Sequence, residues 1–324
     1  AGIGDKTGAS QYPPSIGGGR TMSNLLSFFM QASYSYKNRY NFSMSLRNDT
    51  SSKFYEKNAS ATFWSVGASW LISSEPWMQN IEWLNQLKLR ASYGTTGNQD
   101  GVSDFGTFDG YSNSSYNGES GYAHSQLGNS ELRWETSAQT NVGIDFGAFD
   151  SRFNLTLDFY NIKTKDLYMS KNISLTSGFG SILANAGSIV NRGIEIGVNT
   201  TPIRTQNFQW DLGFNYTYNK NKITDLGTWS NDEGRYINGY SIYELGRPIG
   251  TWYMAYYAGV SPENGMPVFY DDYGQLTTDI NKAYMGSHYG SYEVPVFGGI
   301  STRLRYEGLQ LDAQFTYAYD YTVM

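Results

Sequence analysis

The chain has 324 residues, no cysteine, a formal net charge of −6, and as many aromatic as charged residues, 16% each. Without cysteine there is no disulfide framework, thiol catalysis or Cys-based metal site, and a net negative chain with scattered Lys and Arg is a poor match to nucleic acid. The 28 Tyr and 36 Gly, against only 8 Pro, suit interfacial aromatic girdles and twisted sheet better than a helical enzyme.

Residues 1–20 form a Gly- and Ser-rich loop segment without the apolar stretch of a signal peptide. Either a leader has been removed or the chain is an internal piece of a longer polypeptide. From residue 21 to 324 a period-two alternation recurs. Leu26, Phe28, Met30, Ala32, Tyr34 and Tyr36 share one side of a strand, and after the turn Lys37-Asn38-Arg39 so do Tyr40, Phe42, Met44 and Leu46. Successive strand side chains point to opposite faces, so this pair reads as a hairpin with one apolar face. Trp64 to Ile72, Leu87 to Tyr93, Val142 to Phe146, Phe153 to Phe159 and Ile194 to Val198 repeat the pattern. Phe208 to Tyr218, F-Q-W-D-L-G-F-N-Y-T-Y, does the same, and Ile300 to Tyr306 turns at Glu307-Gly308 into Leu309 to Tyr319. About ten long strands result. At about 3.3 Å per residue and a tilt near 45°, roughly eleven residues climb about 25 Å, the height of the apolar band of an outer-membrane barrel. A mean hydropathy of −0.48 does not oppose this, since half of each barrel strand faces a polar lumen.

The connections are unequal: short near 37–39, 147–151, 202–206 and 307–308, long near 49–60, 97–131, 171–186 and 223–296. A single helical turn is expected in 75–84, and Trp252, Met254, Tyr256 and Ala258 suggest a short hairpin or strand extension. Outer-membrane barrels have short turns on one rim and long loops on the other. Around the short turns sit Tyr34, Tyr36, Tyr40, Phe42, Phe146, Phe149, Phe153, Phe208, Trp210 and Tyr306, which read as an interfacial girdle. A β-sandwich with aromatic strand ends is the alternative.

Several stretches carry a family resemblance. L-K-L-R-A-S-Y-G-T-T-G-N-Q (Leu87 to Gln99) resembles the LKLRASYGxTGNQ motif of SusC/RagA-type TonB-dependent outer-membrane transporters. Tyr36 to Phe54, Leu132 to Asp145, Phe159 to Leu167, Asn185 to Glu195, Gly246 to Gly250 and Val260 to Phe269 resemble further segments of that family in order and spacing. The resemblance implies an all-β fold, a transmembrane antiparallel β-barrel of twenty-two strands with a plugged lumen, of which this chain supplies a fragment of about ten middle-to-late strands. It implies the outer membrane of a Gram-negative, Bacteroidetes-type bacterium, contact with membrane lipid, a SusD-like surface lipoprotein as lid, and TonB acting through a plug domain outside this chain. Its expected work is import of a bulky nutrient, a glycan or peptide fragment, with no enzymatic step and no cofactor. A structural barrel of an outer-membrane assembly or secretion complex, without a transported substrate, is the alternative function, and a soluble glycan-binding β-domain a third.

Inward strand positions include Lys88, Arg90, Asp145, Asp158, Glu195, Asp211, Arg303, Arg305 and Asp312, a charge mixture that fits a hydrated lumen or plug contacts. In the long loops Tyr111, Tyr116, Tyr122, Trp229, Tyr236 and Tyr240 are candidate substrate or lid contacts, because an aromatic face offers apolar area without demanding charge; packing among the loops explains them equally well. Asp271, Asp272, Gly274 and Asp279 miss the spacing of a calcium loop and read as a solvated turn. R-A-S-Y-G-T-T-G-N-Q lacks the order of a nucleotide loop, so its glycines belong to strand-to-loop geometry. His124 and His288 lie in separate loops with no catalytic constellation around them, and the sequons at Asn154 and Asn215 fall inside strands.

Overall fold

The computed structural model describes residues 21–227 and 234–323. Ten long strands form one antiparallel sheet in which every neighbour in sequence is a neighbour in space. They are β1 (Leu25–Tyr36), β2 (Tyr40–Ser51), β3 (Ser60–Leu71), β4 (Leu84–Asn98), β5 (Glu135–Ala148), β6 (Phe153–Lys165), β7 (Ser188–Arg204), β8 (Phe208–Asp225), β9 (Val296–Tyr306) and β10 (Leu309–Tyr319).

Register makes the two faces chemically distinct. One row crosses all ten strands as Tyr34, Phe42, Ala68, Ala91, Val142, Phe159, Ile194, Tyr218, Val296 and Tyr319. The adjacent row, one residue along and therefore on the opposite face, reads Ser33, Ser43, Gly67, Ser92, Asn141, Tyr160, Gly193 and Asn219. Phe42, Val142, Phe159 and Phe315 remain 54%, 49%, 46% and 63% exposed, so the apolar face is not covered by the described residues. A patch of that extent needs an apolar phase. No helix among the described residues is long and apolar enough to cross a membrane; the crossing is made by strands.

At one rim the chain reverses tightly. Lys37 and Asn38, Phe149 to Ser151, and Glu307 adopt left-handed backbone, which matches the twist of the flanking strands at a steric cost for each side chain. Two features here differ from the sequence-based expectation. Pro202 is not a turn: β7 runs through it to Arg204 with a bulge between Thr200 and Ile203, because a residue without an N–H is accommodated at a bulge. The helical turn expected in 75–84 is a 3₁₀ turn at Ile72–Ser74 followed by successive i→i+3 bonds at Met78, Ile81 and Leu84.

At the other rim the connections are 52–59, 99–134, 166–187 and 226–295. The third begins earlier than 171 because Asp166 turns into left-handed backbone, with φ of 60°, and ends β6 before the small hairpin Tyr168–Asn172 with Ser181–Asn185. A second hairpin pairs Gly110–Tyr116 with Glu119–Gln126. In the longest connection, the segment read as one alternation over 252–258 is divided among three separate small sheets.

Candidate functional site

The polar face gathers the predicted charged residues in two groups. In the first, Arg90 donates through Nε and Nη2 to both Asp145 oxygens at 3.0 and 2.9 Å, and through Nη2 to Asp158 at 3.0 Å. The guanidinium reaches across two strands because Gly143 stands between them in register. A Cβ there would lie 2.4 Å from Asp158 Oδ1 and 2.8 Å from Arg90 Nη2. Lys88 and Glu195 sit in register with Asp145 and Asp158 and make no ion pair among the described residues. In the second group, Asp211 accepts from Thr201 Oγ1 and Gln209 Nε2, both at 2.8 Å, and from Arg305 at 3.3 Å, while Arg303 pairs with Asp312 on the next strand. Among these nine residues four cations stand against five anions, which leaves this part of the wall nearly neutral and hydrophilic, a surface for water and polar contacts. Most of its carboxylates are engaged in ion pairs.

At the long-loop rim, separate motif stretches meet in one buried knot of Phe54, Phe63, Val102, Leu132 and Trp134. The Trp134 ring lies 5.2 Å from that of Phe54 and 5.7 Å from that of Phe63, and its Nε1 donates to the Ala59 carbonyl at 3.0 Å. Phe63 covers Gly97, where a Cβ would stand 2.1 Å from the ring; the close approach requires glycine. Lys53 Nζ donates to the Val102 carbonyl at 3.0 Å. The Asn185 side chain accepts from Arg133 N–H at 2.9 Å and donates to the Arg133 and Asp166 carbonyls at 2.8 Å each. The Tyr168 hydroxyl lies 2.9 and 2.8 Å from the Asn98 and Arg133 carbonyls and accepts from Glu135 N–H at 3.0 Å. Burial pushes this hydroxyl well above its ordinary pKa, keeping it a donor.

A second knot ties down the longest loop. Asn191 Oδ1 accepts from the Asn219 and Asn221 amides at 3.2 and 2.8 Å, and Asn221 Oδ1 accepts from Ile249 N–H at 2.8 Å. Beneath it Ala186, Ile223 and Leu226 pack against Met169, Ile189, Tyr236 and Tyr243. Farther out, His288 is packed by Tyr256, Tyr284 and Tyr289, and burial lowers its pKa. At the short-turn rim, Glu75 accepts from Arg39 Nη1 at 3.0 Å, Tyr40 hydroxyl at 2.6 Å and Trp70 Nε1 at 3.1 Å.

The predicted loop aromatics do not form one site. Tyr111, Tyr116 and Tyr122 stand on the 110–126 hairpin, 66%, 89% and 81% exposed, with Tyr111 stacked on His124 at 4.9 Å. Tyr240 is exposed on another hairpin. Tyr236, expected to be an exposed contact, is half-buried against Tyr243 and the second knot, since its strand lies down on the rim. Trp229 lies outside the described residues. Asp271 spends its Oδ1 on the N–H groups of Tyr273 and Gln275, which shapes a turn. Sequence reasoning missed Asn185, Asn191, Asn221 and Tyr168 as clamps. The first two are motif letters and Tyr168 directly follows a motif, but Asn221 and Glu75 carry no sequence signal.

Comparison with known proteins agrees with this geometry. The family model described as "TonB dependent receptor-like, beta-barrel" matches residues 3–323. The TonB-dependent receptor SusC of Bacteroides thetaiotaomicron is 32% identical over 312 residues, 89% of this chain and 30% of SusC. TonB-dependent receptor P39 of Formosa agariphila is 36% identical over 79% of this chain and 24% of its own length. Among solved structures, that of the RagAB peptide transporter superposes with a TM-score of 0.81 and 31% identity over 91% of this chain and 33% of the matched one. The chain thus spans 24% to 33% of the length of these relatives. With ten strands in barrel register, one lipid-facing side and a family match over nearly every residue, the chain belongs to the TonB-dependent receptor-like β-barrel family of the outer membrane.

Proposed function

We propose that this chain is part of the wall of a TonB-dependent importer for a bulky polar nutrient, a peptide or glycan fragment, working as the SusC-like barrel of a complex with a SusD-like surface lipoprotein. The observation that carries this reading is the match at TM-score 0.81 to the RagAB peptide transporter over 91% of the chain, together with a similar match to the RagAB peptide importer in its "open-open" state. The wall supports it physically. Most of its charges are paired within the sheet, so the wall offers a hydrated surface with little net charge to hold cargo tightly. Exposed Tyr111, Tyr116 and Tyr122 on the long-loop side supply aromatic faces suited to a sugar ring or a peptide side chain. In this reading the barrel performs no covalent chemistry; it presents different affinities in open and closed states, biased by ligand and by force from the inner membrane.

The test uses the full-length protein in its native outer membrane, with its lid lipoprotein. Deleting the TonB-contacting segment should abolish uptake of labelled oligopeptides or oligosaccharides while leaving surface binding in place. Unchanged uptake sinks the TonB-driven reading. Uptake of neither class, with stable co-purification of assembly factors, favours a structural role.

A further inference from the structure

Although lysine and arginine are scattered along the sequence, the fold collects five of them on one outward ledge. On the lipid-facing side of β5 to β8 the last apolar row is Val142, Phe159, Ile194 and Tyr218. The next row outward, toward the long loops, contains Asn161, Arg192 and Lys220, the one after it Lys163, Val190 and Lys222, and beyond it Lys165 faces Ser188. At two residues per row and about 4.8 Å between strands, the five cations occupy a patch of roughly 10 by 13 Å. All five are exposed. Among the described residues no ion pair falls to any of them; Arg192 Nε donates to the neutral Asn161 at 2.7 Å.

Two nearby carboxylates are already engaged: Asp166 with Arg133, and Asp225 with Gly227 N–H. Arg192 and Lys220 are directly opposed, and like charges opposite each other on a sheet are destabilising unless an anion lies between them. Lys163, Lys165 and Arg133 also line a hollow of about 610 Å³ at this end, together with those same two carboxylates, so three cations face two anions there. In a chain of net charge −6, such a concentration is not a general surface property.

We propose that this ledge binds the phosphate groups of the phosphorylated glycolipid of the outer leaflet. The long-loop side of an outer-membrane barrel faces the cell exterior, so the first rows beyond the apolar band lie at the depth of outer-leaflet headgroups. Cations at that depth on the outside of the wall meet lipid phosphates, not cargo in the lumen. Asn161 in the first row supplies a polar amide beside them for sugar hydroxyls. The assignment depends on membrane placement and is independent of whether the barrel imports a nutrient.

Full-length protein in phosphatidylcholine nanodiscs is titrated with diphosphorylated outer-leaflet glycolipid and, separately, with its dephosphorylated form, bound lipid being counted by native mass spectrometry. The wild type should prefer the phosphorylated form, and K163Q/K165Q/K220Q/K222Q should weaken that binding on the order of a hundredfold, since each basic residue near a charged surface contributes several-fold. K37Q, on the opposite rim, should change nothing. Should the quadruple variant fail to fold, K220Q alone and the salt dependence of the wild type carry the same reading, with a several-fold loss and a steep fall with salt expected. Binding within threefold of wild type in the quadruple variant, equal binding of the dephosphorylated lipid, or displacement by inorganic phosphate at the glycolipid's own concentration would each overturn the proposal.

Discussion

At the short-turn rim the chain reverses within a few residues, and the structure is local: left-handed backbone at Lys37, Asn38, Phe149 to Ser151 and Glu307, aromatic neighbours such as Trp83 stacked on Phe149 at 6.0 Å, and one carboxylate, Glu75, holding three side chains. At the long-loop rim nothing is local. Phe54, Phe63, Trp134 and Tyr168 come from four connections or strands, and Asn185 and Asn221 tie backbone segments far apart in sequence. Turn chemistry suffices where the chain must only reverse. Long loops lose much conformational entropy when fixed, and here buried rings and amide clamps offset that loss.

The comparison is tested most strongly at Trp134. Trp134→Ala removes the ring that Phe54 and Phe63 pack against and takes one of two donors from the Ala59 carbonyl, which keeps the Ser51 N–H; losses of about 3–5 kcal/mol attend such core truncations. In the full-length protein, limited proteolysis should then cut within 52–59 and 99–134 while the short turns stay resistant. Equal protection of both rims would show that the knot does not hold the loops.

Gly97→Ala is a smaller insult to the same knot. Its Cβ would meet the ring of buried Phe63, costing about 1–3 kcal/mol by overpacking. Phe63→Leu introduced alongside should restore part of the loss, as read from the temperature at which the folded barrel loses its gel mobility. Absence of rescue would place the requirement for glycine in the backbone instead.

Asn221→Ala probes the second clamp by leaving the Ile249 N–H without its acceptor. An unsatisfied buried donor costs about 1–3 kcal/mol. Hydrogen exchange should quicken across residues 245–250 and remain unchanged in the first knot.

How much of this was legible in the sequence follows from the same division. Period-two alternation placed the ten wall strands and their apolar face, since a one-residue slip would have exchanged the faces. Strand ends were less visible: Asp225, Asn98 and Ser51 are polar residues inside β8, β4 and β2, and polarity near a rim reads as loop. The Arg90, Asp145 and Asp158 positions were readable as inward, but their union was not, because it depends on Gly143 lying between them in register. The basic ledge was invisible, as Lys163, Arg192 and Lys220 become neighbours only through strand pairing.

The smallest expected effect lies at Glu75, on the local rim. Hydrogen bonds from Tyr40 and then Trp70 hold its carboxyl below the ordinary value of 4.5, with Arg39 adding to them against the opposing effect of burial. A carboxyl whose folded pKa is depressed binds fewer protons when folded than when unfolded, so its stabilisation is complete above the unfolded value and is lost as pH falls through the folded one. Thermal midpoints of the wild type and Glu75→Gln should therefore differ at pH 6 and converge as the pH is taken well below 4.5. Other carboxylates titrate over the same range in both proteins and cancel in the difference. A gap that stays constant with pH would mean that Glu75 contributes through packing of its side chain and not through its charge, and the short-turn rim would then be held by turn geometry and aromatic contact alone.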